Sequence, residues 1–183
     1  DSRQTLISFR SRTHGAAAAV GYGKAAMVFL MLRDQLGEAD FQRGLRVFWQ
    51  QQRFRVASWS DLQRAFEQAS GESLATFFSQ WLTRDGAPDL RVSKASATAV
   101  GAGYRLEIEV TQSAPAYSLR LPIAVNTAGR STAHVVHVDR LRQSVSLAVD
   151  RLPQSLLLDP DLRLWRSLDA RQLPPILRQW IVA

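Results

Sequence analysis

The stretch Val20-Gly21-Tyr22-Gly23-Lys24-Ala25-Ala26-Met27-Val28-Phe29-Leu30-Met31-Leu32 is the part of the chain that says most about its fold. From Ala25 onward the residues are apolar on almost every side of a helix, which predicts a buried helix. Tyr22 stands between two glycines directly before it, and glycine permits backbone angles that other residues avoid and lets a partner approach closely. We therefore predict that the Tyr22 phenol lies at the edge of a cavity, where it can donate a hydrogen bond to an oxyanion.

Further helices are predicted up to about Gly86. Gly37 is a C-terminal stop for the first helix, and Ser58-x-x-Asp61 resembles a capping box at the start of a later one. Two other segments carry apolar residues at helical spacing, namely Phe41, Leu45, Phe48 and Trp49, and then Leu74, Phe77, Phe78, Trp81 and Leu82. The first part of the chain is therefore predicted to be an α-helical subdomain.

The chain changes character at about Asp89, where alternating apolar and polar residues predict strands. About six or seven short strands joined by turn residues are typical of an antiparallel β-sandwich of immunoglobulin-like type. From Trp165 the sequence predicts a short helical tail or linker, with Pro175 in the first turn of its helix. The predicted class is α+β, with domains at 1–87, 88–165 and 166–183.

Composition narrows the classes of function. The 183 residues are 46% hydrophobic and contain no cysteine, so neither disulfides nor thiolate metal sites are expected. No apolar run approaches the ~20 residues that cross a bilayer. The formal charge of +7 comes from arginines scattered among acidic residues, which predicts a solvated surface without nucleic-acid binding. A basic binder of nucleic acid or of anionic membrane surfaces remains an alternative.

The opening stretch reads Tyr22-Gly23-Lys24-Ala25-Ala26 and resembles the Tyr-x-Lys-Gly-Ala pattern of M1-family (aminopeptidase N-like) zinc metallopeptidases. Ala25 stands where that family usually has glycine. The resemblance continues in order through a series of short matches: Met31-Leu32-Arg33, Leu36-Gly37-Glu38, Phe41, Gly44-Leu45-Arg46, Trp59-Ser60-Asp61-Leu62, Phe77-Phe78-Ser79-Gln80-Trp81-Leu82 and Gly86-Ala87-Pro88. An ordered series of this kind carries more weight than a lone motif. Leu158-Asp159-Pro160-Asp161 resembles the segment that closes the family's β-sandwich.

The resemblance implies peptide hydrolysis by zinc-activated water, with the metal held by a His-Glu-x-x-His helix and a later glutamate. The three histidines, His14, His134 and His137, do not form that motif. His134 and His137 are three apart in a predicted strand, so they are expected on opposite faces and not at one metal. We therefore expect the zinc ligands upstream of Asp1 and this chain to be a C-terminal piece that binds no catalytic zinc and is inactive alone.

Tyr22 is the one catalytic residue that the resemblance implies here, because the family's matching tyrosine donates its hydroxyl to the oxyanion of the tetrahedral intermediate. Lys24 is expected to be a structural or surface charge. The implied partners are a peptide substrate and the upstream catalytic part of the parent enzyme. The sequence does not indicate the compartment, so a bacterial periplasmic and a bacterial cytoplasmic location both stay open. Two further alternatives remain open: a non-catalytic protein-interaction module in which Tyr22 is structural, and a relative of the glycyl-aminopeptidase type.

Overall fold

The computed structural model describes residues 4–10, 18–169 and 172. The chain divides into two compact units, residues 1–86 and residues 87–183. The first unit is helical in its described part, and the second is built from strands. This order confirms the predicted α+β class. The predicted helix that begins near Pro175 lies outside the described residues.

The helical unit begins its regular structure with a π-helix, Ala19–Lys24, that runs directly into the first α-helix. Among the described residues four α-helices follow in order: α1 Ala25–Leu36, α2 Glu38–Gln52, α3 Trp59–Ser70 and α4 Ala75–Thr83. Gly37 has a positive φ of 80° between α1 and α2, as expected for a helix stop. The Ser58 hydroxyl accepts from the Asp61 N–H while the Asp61 carboxylate accepts from the Ser58 N–H, so the predicted capping box is confirmed.

The core of the helical unit comes from one side of each of three helices. It consists of Val28, Met31 and Leu32 of α1, Leu62, Ala65 and Phe66 of α3, and Phe77, Phe78, Trp81 and Leu82 of α4. The segment 4–10 adds the buried Leu6, and the Ile7 N–H donates to the Leu82 carbonyl at 3.0 Å. Helix α2 approaches this core closely at Gly44, where an added Cβ would lie 2.3 Å from the Phe66 ring.

Burial of the first two helices falls short of the sequence prediction. In α1 the side chains of Met27, Phe29 and Leu30 are only half-buried within the described part of the chain. In α2 only Gly44 is buried, and the Trp49 side chain of the predicted apolar stripe is exposed. The described residues therefore cover one face of α1 and only part of the apolar face of α2, where Phe41 and Gly44 pack against Phe66.

The strand unit has six described strands, and all of their pairings are antiparallel. They are β1 Leu90–Val100, β2 Gly103–Gln112, β3 Leu119–Thr127, β4 Arg130–Val138, β5 Arg142–Val149 and β6 Ser155–Leu158. Two three-stranded sheets result, with orders β1-β2-β5 and β4-β3-β6. The predicted alternation holds on the central strands, where Leu106, Ile108 and Val110 of β2 and Leu119, Leu121, Ile123 and Val125 of β3 are buried.

A buried ion pair closes the strand unit after β6. The Arg166 guanidinium donates through Nε to the Asp159 carboxylate at 3.0 Å, and both side chains are excluded from solvent. Arg166 also donates to the Leu158 carbonyl and to the Gln172 side chain. The Asp159 carboxylate accepts from the backbone N–H groups of Arg163 and Leu164. The network ties the residues that follow β6 to the end of that strand.

Candidate active site

Tyr22 lies within the π-helix and not in a turn. Gly21 and Gly23 are both part of the same helix, so their predicted role of adopting unusual backbone angles is wrong. A π-helical turn is rare in proteins and is found frequently at functional sites. The predicted close approach to a glycine is confirmed at Gly21, where a Cβ would lie 2.3 Å from the Phe9 ring. Gly21 is therefore needed for space and not for backbone freedom.

Phe9 sets the position of the Tyr22 ring from one side. The two rings meet edge to face, with centroids 5.7 Å apart and an interplanar angle of 73°. Such a pairing favours one orientation of the phenol. The sequence gives no indication of Phe9, because Phe9 lies 13 positions before Tyr22 and no local pattern connects the two. A glycine immediately before a candidate catalytic residue was the available signal that another side chain packs there.

The rest of Tyr22 is open, with the residue 61% exposed. Its hydroxyl has no hydrogen bond with any of the residues 4–10, 18–169 and 172. A tyrosine that served only to fill space would be expected to bury its ring and pair its hydroxyl. The arrangement leaves the hydroxyl able to donate to a group brought from outside the described chain.

Lys24 ends the π-helix, and its position is unusual for a lysine. Only 1% of the residue is exposed, and Nζ donates to the Arg84 carbonyl oxygen at 2.8 Å. Burial lowers the pKa of Lys24 to about 8, while the negative charge of Asp85 works against that shift. Of the two expectations for Lys24, a surface charge is wrong, because the side chain is buried and bonded to the backbone.

A cavity of about 510 Å³ opens elsewhere in the helical unit, between the segment 4–10 and the first three α-helices. Its walls include Phe29 and Trp59, whose ring centroids are 6.1 Å apart, together with Phe48 and Leu62. Arg10 and Ser58 are polar residues at its border. Tyr22 is not among the lining residues, so this cavity is not the recess predicted in front of the phenol.

The described residues do not fit a zinc ion by themselves. Among them no group of three or more histidine, cysteine, aspartate or glutamate side chains could hold a metal. His134 and His137 lie on β4, His134 half-buried and His137 exposed, and His14 lies outside the described residues. Likewise, in that part of the chain no helix has the length and apolar character needed to cross a bilayer.

The fold of the chain is similar to part of a solved peptidase structure. The chain superimposes with a TM-score of 0.68 on the crystal structure of Legionella pneumophila aminopeptidase A in complex with aspartic acid. The sequences are 17% identical, and the match covers 87% of this chain and 19% of the other. Because the identity is only 17%, this similarity is evidence about the fold alone.

Sequence comparison gives the family. Residues 10–81 match the family described as "Peptidase family M1 domain", so this segment corresponds to a fragment of an M1-family aminopeptidase domain, which confirms the resemblance. It is 31% identical over 74 residues to "Probable aminopeptidase 2" of Sulfurisphaera tokodaii and 33% identical over 75 residues to "Tricorn protease-interacting factor F2" of Thermoplasma volcanium. These matches cover 40% and 41% of this chain but only 10% of each relative. The chain thus spans about a tenth of those relatives.

Proposed function

We propose that this chain works as part of an M1-type zinc aminopeptidase and supplies Tyr22 as the hydrogen-bond donor to the oxyanion that forms when the peptide carbonyl is attacked. One observation carries this proposal. The Tyr22 phenol is exposed, its hydroxyl has no hydrogen-bond partner among the described residues, and it lies inside the segment that matches the family. The zinc ligands would belong to another segment of the polypeptide, and residues 1–87 would form one wall of the peptide-binding cleft.

The chemistry asked of Tyr22 is electrostatic. As the carbonyl carbon becomes tetrahedral, negative charge builds on its oxygen, and a preorganised O–H donor stabilises that charge more than it stabilises the substrate. A neutral phenol suits this role because it donates a hydrogen bond without giving up its proton. The Phe9 contact restricts the ring before substrate arrives, which reduces the reorganisation needed during the reaction.

The direct test replaces Tyr22 with phenylalanine in the polypeptide that joins this chain to its zinc-binding segment. Tyr22→Phe retains the ring against Phe9 and removes only the donor, so kcat/KM for an aminoacyl-anilide is expected to fall about 10²- to 10³-fold. Tyr104→Phe, a change of the same kind in strand β2, is the matched control and should leave kcat/KM unchanged within about twofold. Full activity of Tyr22→Phe would refute the catalytic role.

A second test concerns the chain alone. We expect the purified 183-residue chain to hold less than stoichiometric zinc and to release no anilide product above the blank, because the proposed ligand set lies elsewhere. Zinc content is measured by elemental analysis after dialysis. One equivalent of tightly held zinc, or turnover that a chelator abolishes, would contradict the assignment of the ligands to another segment.

The remaining parts of the proposal concern architecture. We propose that the two sheets of residues 88–165 form an immunoglobulin-like sandwich. The burial of the alternating β2 and β3 residues supports a shared interior.

A non-catalytic interaction module is the second candidate. The exposure of apolar side chains in the helical unit favours it, since Phe54 is 95% and Val56 100% exposed. The Tyr22→Phe variant separates the two candidates, because a pure interaction module predicts no change in peptidase activity.

A further inference from the structure

Lys24 is a buried cation that the proposed chemistry leaves unused. Lysine is almost never fully buried unless its charge is paired. Here the described ammonium contact is to a backbone carbonyl, that of Arg84, at 2.8 Å, and the carboxylate of Asp85 contributes a favourable charge nearby. The residue is the last of the π-helix and lies two positions after Tyr22.

The acceptor is placed where a cation is favoured. Helix α4 ends at Thr83, and Arg84 is its C-terminal cap with an extended backbone (φ −89°, ψ 137°). The last carbonyls of a helix lack donors within the helix, and the helix dipole makes this end negative. The Lys24 ammonium therefore ties the end of the π-helix to the end of α4 by a charge-assisted hydrogen bond.

Stability alone does not account for this arrangement. Taking a lysine charge out of water costs free energy, and an apolar side chain of similar volume often stabilises a protein as well or better. The contact gives instead a fixed distance between two backbone segments. One of those segments carries the tyrosine whose direction matters for catalysis.

We propose that Lys24 is the positioning residue for Tyr22: its hydrogen bond to the Arg84 carbonyl fixes the π-helix on the end of α4 and so sets the direction of the exposed phenol. This inference rests on the proposed function. Two contacts then hold the π-helix, Phe9 against Gly21 and Tyr22 on one side and Lys24 against Arg84 on the other.

The first experiment reads the position of the ring without any activity. The chain has three tyrosines, Tyr22, Tyr104 and Tyr117, so labelling with 3-fluorotyrosine gives three ¹⁹F NMR signals, and Tyr22→Phe assigns one of them. Lys24→Met is expected to shift or broaden the Tyr22 signal by more than its linewidth and to leave the other two in place. Lys94→Met, at the exposed second lysine of the chain, is the matched control and should change none.

An unchanged Tyr22 signal in Lys24→Met would overturn the proposal. If Lys24→Met does not fold, as judged by loss of its helical circular dichroism, Lys24→Arg takes its place. The guanidinium retains a donor but holds it at a different distance from the backbone, so the Tyr22 signal should again move while the chain stays folded. A Tyr22 signal that does not move in Lys24→Arg would count equally against the proposal.

The second experiment uses the polypeptide that includes the zinc-binding segment. The Tyr22 hydroxyl is proposed to stabilise the transition state and not the bound substrate. Displacing it in Lys24→Met should therefore lower kcat about 10- to 100-fold and leave KM nearly unchanged. In a Tyr22→Phe background the same change should have no further effect, because Lys24 acts through the hydroxyl that is already gone. An equal loss in both backgrounds would refute the positioning role.

The two experiments separate failure of this inference from failure of the proposed function. Full activity of Tyr22→Phe refutes the proposed function, whatever the ¹⁹F signals show. A moved Tyr22 signal in Lys24→Met supports the structural coupling even then.

Discussion

Among the residues that the structure describes, each unit buries one long cationic side chain, and the two differ in the groups that accept its hydrogen bonds. In the strand unit Arg166 donates to the carboxylate of Asp159, and the backbone N–H groups of Arg163 and Leu164 donate to its two oxygens. In the helical unit Lys24 donates to the backbone carbonyl of Arg84, and the Asp85 carboxylate contributes only a favourable charge nearby. A complete ion pair surrounded by hydrogen bonds is typical of a structural closure. A buried ammonium that donates to a backbone carbonyl holds two backbone segments together but costs desolvation free energy. We therefore associate Lys24 with the position of its neighbour Tyr22 and not with stability.

Breaking the closure of the strand unit should have the largest effect. Asp159 has a positive φ of 47°, a region that asparagine tolerates, so Asp159→Asn keeps the shape and removes the charge. The buried Arg166 then lacks its counter-ion, and we expect a loss of about 3–5 kcal/mol in the free energy of unfolding, measured with urea. Asp150→Asn is the matched control, since its pair with Arg130 is exposed, and should cost under about 1 kcal/mol. A similar small loss for both variants would show that the buried pair is not a structural closure.

Close packing in the helical unit should come next in size. At Gly44 an added Cβ would lie 2.3 Å from the ring of the fully buried Phe66, so Gly44→Ala forces α2 away from α3. Overpacking of this kind costs about 1–3 kcal/mol, more than alanine gains in helix propensity. Gln50→Ala, at an exposed position of the same helix, should change stability by less than about 0.5 kcal/mol. If Gly44→Ala were instead more stable than the wild type, α2 would be able to shift over the core. The helical unit would then be more loosely packed than the strand unit, in addition to differing in its buried cation.

Local periodicity was sufficient to predict most of the architecture. The period-two alternation of Leu106, Ile108 and Val110 predicted a half-buried strand, and the Ser58-x-x-Asp61 spacing predicted a helix start, because both signals depend on neighbours in sequence. The stripe that includes Trp49 predicted a helix correctly. It did not reveal that the described residues leave Trp49 exposed, because a stripe indicates which face needs cover and not what covers it.

The candidate site was predicted only in part. The flanking pattern made Tyr22 the candidate, which stays a prediction, and it gave no sign of the π-helix in which Tyr22 lies. The Phe9 contact at Gly21 and the Lys24 contact at Arg84 join residues 12 and 60 positions apart, which no local pattern could connect. Lysine is moreover a surface residue by default, so the burial of Lys24 required the structure.

The smallest expected effect on stability belongs to the residue to which we assign a positioning role. Lys24→Met fills a similar volume without a charge, so its free energy of unfolding at pH 7 should lie within about 1 kcal/mol of the wild type. That result would separate Lys24 from Asp159, whose loss is structural. If Lys24→Met lost as much free energy of unfolding as Asp159→Asn, Lys24 and Arg166 would both be structural residues, and the two units would not differ in the role of their buried cations.

The pH dependence of the same variant tests the burial of Lys24 directly. Folding lowers the pKa of Lys24 from 10.5 to about 8, so between these values the unfolded chain binds a proton that the folded chain has already released. Stability rises with pH wherever the unfolded state binds more protons, so the wild type should gain stability relative to Lys24→Met from pH 8 to pH 10.5. Urea unfolding of both proteins across that range measures the difference. Parallel curves would mean that the Arg84 hydrogen bond and the Asp85 charge offset the burial of the ammonium, and the lowered pKa would then be refuted.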